Sequence, residues 1–185
     1  MMSGLWLRKQ CLNLLAISLL ASPMFILNDA SAAEVLSAKD QGYLKDITRL
    51  EILQTEASEL AVIKSSNENV RDFAREMLKA QTQMGEALKQ LASQKRADLP
   101  TEPSLWQKAK FRSLSSKDGA EFDLGYAKTI GVKSQEEIVK LLGKVANRTE
   151  DPDIKTFALQ QLSPATSNLE TAKALLAVIK ATEDD

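Results

Sequence analysis

The sequence of 185 residues contains no histidine and a single cysteine, Cys11. The missing histidine excludes a Ser-His-Asp triad, a Cys-His pair and imidazole metal ligands. One cysteine near the N-terminus excludes disulfide frameworks and cysteine clusters for zinc or iron–sulfur groups. The near balance of 24 basic and 25 acidic side chains argues against a nucleic-acid partner. We therefore expect no catalytic residues of a recognisable enzyme class, no metal site and no cofactor.

Residues 1–33 have the features of a secretory signal peptide. A short basic region at Arg8 and Lys9 precedes an apolar run over residues 12–27. The segment ends in Ala30-Ser31-Ala32, which matches the small-x-small pattern that signal peptidase recognises, and predicts cleavage after Ala32 or Ala33. The alternative is an uncleaved membrane anchor, but the run is shorter than the roughly 20 residues that a spanning helix needs. We expect an exported protein, periplasmic or extracellular, with no stable membrane span after cleavage.

The remaining chain, residues 34–185, predicts a single all-α domain with its core at about residues 38–180. Apolar residues recur every three or four positions, as on one face of a helix. The predicted helices cover residues 38–64, 68–95, 117–147 and 152–180, with a short extra helix over residues 104–113. Their expected N-caps are Ser37, Asn67, Ser116 and Asp151. Pro164 should kink or split the last helix because proline removes a backbone donor.

Four amphipathic helices predict a four-helix bundle, because each must bury its apolar face against the others. The links are short between the first two helices and between the last two, whereas residues 96–116 form a long connection. This pattern favours two antiparallel hairpins joined by a crossover, as in ferritin-like bundles. A simple up-down-up-down bundle is the alternative.

Each long helix carries a polar residue near its middle, on or beside the apolar stripe. These residues are Glu56, Gln81, Ser134 and Asn168. One carboxylate with two amides and a hydroxyl is a poor donor set for a transition metal. A hydrogen-bonded polar layer that fixes helix register is the favoured interpretation. A small-ligand pocket and a metal site are the alternatives.

Three segments together resemble a family of exported bacterial proteins. Ser65–Met77 is similar to the family motif small-Ser-Asn-x-x-Val-x-x-Phe-Ala-x-x-Met, and Gly119–Tyr126 contains its Phe-Asp-x-x-Tyr element. Residues 153–158 and 162–164 are similar to its Phe-Ala and Leu-Pro elements in the last helix. The family is the domain of unknown function number 4142. The resemblance spans about residues 40–177.

The resemblance implies a ferritin-like helical bundle outside the cytoplasm, with no settled activity. Typical members carry a histidine in each of three helices, and those positions correspond to Gln81, Ser134 and Asn168. The family's aspartate before the first histidine falls on Ala80, whereas Glu56 matches the family's glutamate in the first helix. The resemblance therefore implies a divergent member that cannot perform imidazole chemistry at these positions.

Trp106 and Phe111 lie on the short helix of the long connection. They could form a patch that binds a partner, or they could pin the connecting helix onto the bundle, which is the commoner role of such aromatic residues.

These observations predict a non-catalytic exported protein that acts as a binding or envelope-associated factor. Its partner would be an envelope protein or a small molecule. The alternatives are a ferritin-like metal-binding or oxidoreductase protein that uses Glu56, and a carrier that holds a small molecule in the bundle interior near Gln81 and Asn168.

Overall fold

A computed structural model describes residues 36–183 of the chain, apart from the side chain of residue 183. The signal peptide and its cleavage site are predictions that lie outside the described residues. In the described part the chain is helical and contains no strand, which confirms the all-α fold. The helices are α1 (Ala38–Lys64), α2 (Glu68–Lys95), α3 (Leu105–Ser115), α4 (Gly119–Tyr126), α5 (Ser134–Arg148) and α6 (Pro152–Glu183), and a π-helical segment (Ala127–Lys133) joins α4 to α5.

Three of the four expected N-caps are confirmed by hydrogen bonds to the first turn. Ser37 Oγ accepts from the Asp40 amide at 3.0 Å, and Asn67 Oδ1 accepts from the Asn69 amide at 3.0 Å. Asp151 Oδ1 accepts from two amides of α6, at 2.9 and 3.1 Å. Such caps satisfy amides that have no partner within the helix. The fourth expectation was wrong, because Ser116 ends α3 and α4 begins after Asp118.

The sequence predicted a kink or a split at Pro164, and α6 is not split there because it continues through this residue. Proline removes one amide donor from the helical ladder. The side chain of Pro164 is exposed, and so is Gln160, whose carbonyl would have been the acceptor four residues earlier. The missing bond therefore lies on the solvent-facing side of α6, and the helix continues on both sides of it.

Contacts at the helix ends fix the direction of each helix. Lys64, at the end of α1, forms an ion pair of 3.0 Å with Asp118, just before α4. Lys39, near the start of α1, donates to the Arg148 carbonyl at the end of α5. Lys95, at the end of α2, pairs with Asp151 before α6 at 2.7 Å. The long connection therefore runs from one end of the bundle to the other, which confirms the crossover.

The core consists of two clusters of buried apolar side chains that follow one another along the bundle. The first cluster contains Tyr43, Leu44, Ile47, Leu50, Met84, Leu88, Leu91, Ile138, Leu142, Val145, Ala146, Ile154, Phe157, Ala158 and Ala165. The second cluster contains Leu53, Ala57, Ala61, Val70, Phe73, Ala74, Met77, Leu114, Phe122, Tyr126, Ala127, Ile130, Ala172, Leu175 and Ile179. The helix α3 packs on α1 and α4 and adds Leu114 to the second cluster.

The π-helical segment interrupts what the sequence pattern predicted as one helix over residues 117–147. Buried residues recur every fourth position there: Phe122, Tyr126, Ile130, Ser134, Ile138 and Leu142. In a straight α-helix such a stripe would drift by about 40° at each step. A π-helix closes its hydrogen bonds from residue i to i+5, as the Ser134 amide does with the Thr129 carbonyl, and so takes more residues per turn. The segment therefore keeps the whole stripe facing the core.

Within residues 36–183, no helix is both long and apolar enough to cross a membrane.

Candidate functional site

A set of buried polar residues lies between the two apolar clusters. On α2 and α5 these residues fall, in sequence, between the two clusters, and on α1 the residue directly follows the first member of the second cluster. Gln54 adjoins Leu53 on α1, Gln81 lies between Met77 and Met84, and Ser134 and Gln135 lie between Ile130 and Ile138. Their side chains are buried. We call Gln54, Gln81, Ser134 and Gln135 the polar layer.

The shortest hydrogen bond of the polar layer joins α2 to α1. Gln81 Nε2 donates to Gln54 Oε1 at 2.6 Å, and the two side chains are 2% and 1% exposed. Gln54 Nε2 and Gln81 Oε1 have no hydrogen-bond partner among the described residues. Because an unpaired buried amide group is costly, each glutamine depends on the other for the bond that it does make.

Ser134 and Gln135 make different contacts within the same level of the bundle. Ser134 Oγ donates to the Thr129 carbonyl at 3.1 Å, the same carbonyl that accepts from the Ser134 amide. This hydroxyl therefore reinforces the π-helical turn. Gln135 Nε2 approaches Met77 Sδ at 3.6 Å, which links α5 to α2 through a weak sulfur acceptor.

The four polar residues singled out from the sequence do not form one connected layer. Gln81 and Ser134 are buried as part of the polar layer, but Asn168 and Glu56 are only half-buried. Among the described residues, no hydrogen bond links any two of these four side chains. On α1, the residue in the polar layer is Gln54. Glu56 comes two residues later, and since a helix turns about 200° over two residues, Glu56 lies on the opposite side of α1.

Glu56 lies close to the long connection. Burial raises the pKa of the Glu56 carboxyl above its usual range, and the neighbouring Glu59 and Glu102 act in the same direction. Lys108 on α3 opposes this effect. Glu56 therefore belongs to a cluster of charged groups between α1 and the connection. Within residues 36–183, no group of three or more acidic, cysteine or histidine residues is arranged to hold a metal ion.

A second polar contact, which the sequence pattern did not reveal, lies within the second cluster. Ser58 Oγ and Tyr126 Oη are 2.8 Å apart and both residues are buried. Burial raises the pKa of the Tyr126 phenol, so the phenol remains protonated and can serve this bond as donor or acceptor. Ser58 lies four residues after Gln54, and this spacing of two uncharged polar residues on one helical face was the available sequence signal.

Two neighbouring large apolar residues at the start of α3 are exposed to solvent. Trp106 is 71% exposed and Leu105 is 85% exposed, whereas Phe111 packs against the second cluster. The two proposed roles of this pair therefore separate: Phe111 anchors α3, and Trp106 faces solvent.

A surface groove of about 290 Å³ lies beside Trp106, between α3 and the helix that follows. Two other described grooves, of about 190 and 280 Å³, lie between α2 and α6 and beside α1 and α5. None of these three grooves is lined by Gln81, Ser134 or Asn168. These three grooves therefore lie on the surface and not at the polar layer.

These observations define a class of protein: an antiparallel helical bundle with a crossover connection, whose core is divided by a layer of buried amides. The family described as a domain of unknown function (DUF4142) matches residues 27–175 of the chain. The chain belongs to this family, as its motifs predicted. No curated protein and no solved structure matches the chain.

Proposed function

We propose that this protein is exported and then acts as a non-catalytic binding factor of the cell envelope, with α3 as its binding surface. The observation that carries this proposal is the exposure of Trp106 and Leu105, neighbouring large apolar residues on a helix that is anchored from its other face. Exposed apolar side chains that adjoin one another favour a role in binding. The groove beside Trp106 provides a concave surface for the bound molecule.

The contacts of the polar layer support a structural role for Gln81 and Ser134, two of the positions at which the resemblance to the family implies histidines. Gln81 is bonded to Gln54 across the α1–α2 interface, and Ser134 is bonded to a carbonyl of its own helix. These bonds fix helix register and the π-helical turn. We therefore assign binding to the surface of α3 and a stabilising role to the polar layer.

Export is supported by the basic residues, the apolar run and the Ala30-Ser31-Ala32 pattern of the N-terminal segment. The test is to express the full chain in a bacterium, separate the cell fractions and sequence the N-terminus of the product. We expect a periplasmic or secreted chain that begins at residue 33 or 34. A chain that keeps Met1 and remains in the cytoplasm would overturn this part of the proposal.

Binding through α3 can be tested in cells with a photoreactive amino acid at position 106. Ile63 is the matched control, since it is 83% exposed and apolar but does not line the groove beside Trp106. After irradiation we expect an adduct at position 106, seen by gel or intact mass, and none at position 63. Equal labelling at both positions, or none at either, would contradict a binding role for α3.

The metal-binding alternative is separated from this proposal by elemental analysis of the purified protein. The proposal expects no stoichiometric iron, copper or manganese. A stoichiometric metal that is lost on Glu56→Ala would overturn the non-catalytic interpretation, because Glu56 is the residue that this alternative uses as a ligand.

A further inference from the structure

The groove beside Trp106 has the size and composition of a site for a small molecule. Its volume of about 290 Å³ is close to the lower end of the range for small-molecule pockets, about 300 Å³. Trp106 forms one wall, and Leu114 contributes an apolar surface. The hydroxyl-bearing residues Ser113 and Thr129 also line it. Thr129 belongs to the π-helical segment, an element that is frequent at functional sites.

The charges that line the groove are all positive. Lys110 and Lys117 are lining residues, and no lining residue is acidic. Lys110 Nζ lies 5.9 Å from the centre of the Trp106 ring and 2.7 Å from a carboxylate oxygen of Glu137. Lys117 pairs with Glu121. Each ammonium group has three donors, so one carboxylate partner leaves donors available for a ligand.

Gly125 allows α3 and α4 to approach closely at the base of the groove. A Cβ atom at this position would lie 3.2 Å from Lys117 Cδ and 3.3 Å from Leu114 Cδ1. Both distances are tighter than ordinary contacts, so a side chain at residue 125 would require Lys117 and Leu114 to shift slightly. The glycine therefore lets Lys117 lie across α4 and face the groove.

We propose that this groove binds a small aromatic anion of one or two rings that carries a carboxylate or sulfonate. The inference rests on the proposed role of α3 as a binding surface and names the class of ligand. The ring stacks on the exposed face of Trp106, because aromatic pairs gain from offset stacking beyond the area that they bury. The anionic group accepts charge-assisted hydrogen bonds from Lys110 and Lys117.

The test is a titration of the full chain with 1-naphthoate, which combines two rings with one carboxylate. The sequence contains two tryptophans, Trp6 and Trp106, so the chain is produced with Trp6→Phe. Trp106 is then the only tryptophan, whether or not the N-terminal segment is removed. Binding is followed by Trp106 fluorescence and by calorimetry in parallel.

We expect saturable binding with one site per chain and a change in Trp106 fluorescence. Lys110→Gln and Lys117→Gln should each weaken binding about tenfold, since each removes a charge-assisted hydrogen bond. The neutral analogue 1-naphthamide should also bind about tenfold more weakly. Lys79→Gln is the matched control, because Lys79 is an exposed, ion-paired lysine on α2. This variant should bind as the parent does.

Several results would overturn the inference. These are the absence of saturable binding, equal binding of the amide, equal effects of Lys79→Gln and the groove variants, and heat of binding without a change in Trp106 fluorescence. A position-106 adduct in cells without naphthoate binding would refute the aromatic anion and leave the proposed function standing. If naphthoate binding depends on the lysines but no such adduct forms, the groove is supported as a binding site, and the result contradicts the proposed function alone.

Discussion

The two halves of the core are built differently. The first cluster is mainly aliphatic and is formed by regular α-helices. The second cluster contains three aromatic rings, of which Tyr126 contacts the other two. The ring of Tyr126 is stacked on Phe122 at 6.3 Å and meets Phe73 edge-on at 6.1 Å between centroids. Only the second cluster contains residues of the π-helical segment, and only it receives a residue from α3.

This difference shows how much each half depends on helix register. Aliphatic side chains can adjust to small changes, but stacked rings and the Ser58–Tyr126 bond require defined positions. The π-helical segment supplies those positions for Tyr126 and Ile130 while leaving Ile138 and Leu142 in the first cluster. We therefore expect the two halves to respond differently to the same kind of change.

The largest expected effect comes from single-residue deletions. Deleting Lys140 from α5 turns the residues that follow by about 100° and moves Leu142 and Val145 away from the first cluster. We expect the free energy of unfolding to fall by more than about 4 kcal/mol. Deleting Lys128 removes a residue that the π-helical segment absorbs, so α4 and α5 can join as one α-helix, and the loss should stay below about 2 kcal/mol.

Both deleted lysines are exposed, so each serves as the control for the other. Urea unfolding followed by circular dichroism measures the two losses. Equal destabilisation would show that the π-helical segment is not what keeps the two clusters in register.

The next effect concerns the polar layer between the halves. Gln81→Met removes the partner of Gln54 and leaves a second atom of that buried amide unpaired, which should cost about 1–3 kcal/mol. The double variant Gln54→Met/Gln81→Met removes both amides at similar volume and should return close to the parent. Thermal and urea unfolding compare the two. A double variant that loses the sum of the two single effects would contradict pairwise dependence.

A smaller effect is expected within the second cluster. Tyr126→Phe keeps the ring but removes the partner of the buried Ser58 hydroxyl, and should cost about 1 kcal/mol. The matched change in the first half of the core is Thr48→Val. The Thr48 hydroxyl donates at 2.8 Å to the Leu44 carbonyl of its own helix, so its loss should cost less, about 0.5 kcal/mol. Unfolding in urea measures both variants. If Thr48→Val loses more unfolding free energy than Tyr126→Phe, this ranking is wrong.

The smallest effect depends on pH and concerns Glu51, at the α1–α2 seam. A Cβ atom at residue 85 would lie 3.0 Å from Glu51 Oε1. The glycine at this position therefore leaves space for the Glu51 carboxylate. Burial raises the pKa of the Glu51 carboxyl, with Lys89 and the Thr55 hydroxyl opposing. The folded state therefore holds this proton more tightly than the unfolded state does. The stabilisation exists at low pH and is lost as the pH rises through the raised pKa.

Relative to Glu51→Gln, the parent protein should lose stability between about pH 4 and pH 7. Urea midpoints of the two proteins across this range measure the effect. Glu86→Gln, an exposed position on α2, shows how much arises from net charge alone. A parent that gains stability over this range relative to Glu51→Gln would mean that Lys89 and Thr55 outweigh burial.

Local signals predicted most of the fold. The bounds of α1 and α2 follow from their apolar stripes and from the caps at Ser37 and Asn67, because hydrophobic period and capping act over a few residues. The length of the connection predicted the crossover. The π-helical segment was not predicted. The six positions that prove to be buried there are spaced four apart in the sequence. That spacing is the signal that could have revealed it.

The candidate site was harder to predict. The apolar pattern identified Gln81 and Ser134 as buried polar groups, but it assigned Glu56 in place of Gln54 as the contribution of α1. Stripe positions tell which face of a helix is buried, and they do not tell which neighbouring helix that face meets. The groove beside Trp106 was not predicted, because it depends on how close α3 lies to Gly125.

By itself, the sequence determined that this protein lacks histidine, forms amphipathic helices with defined ends and joins two hairpins by a long connection. These properties depend on composition and on contacts within one helix. The tertiary structure decided which polar groups meet across helices, where the π-helical turn is needed and that Trp106 faces a groove lined by two lysines. Those outcomes depend on distances between helices, which are set only when all the apolar faces pack together at once.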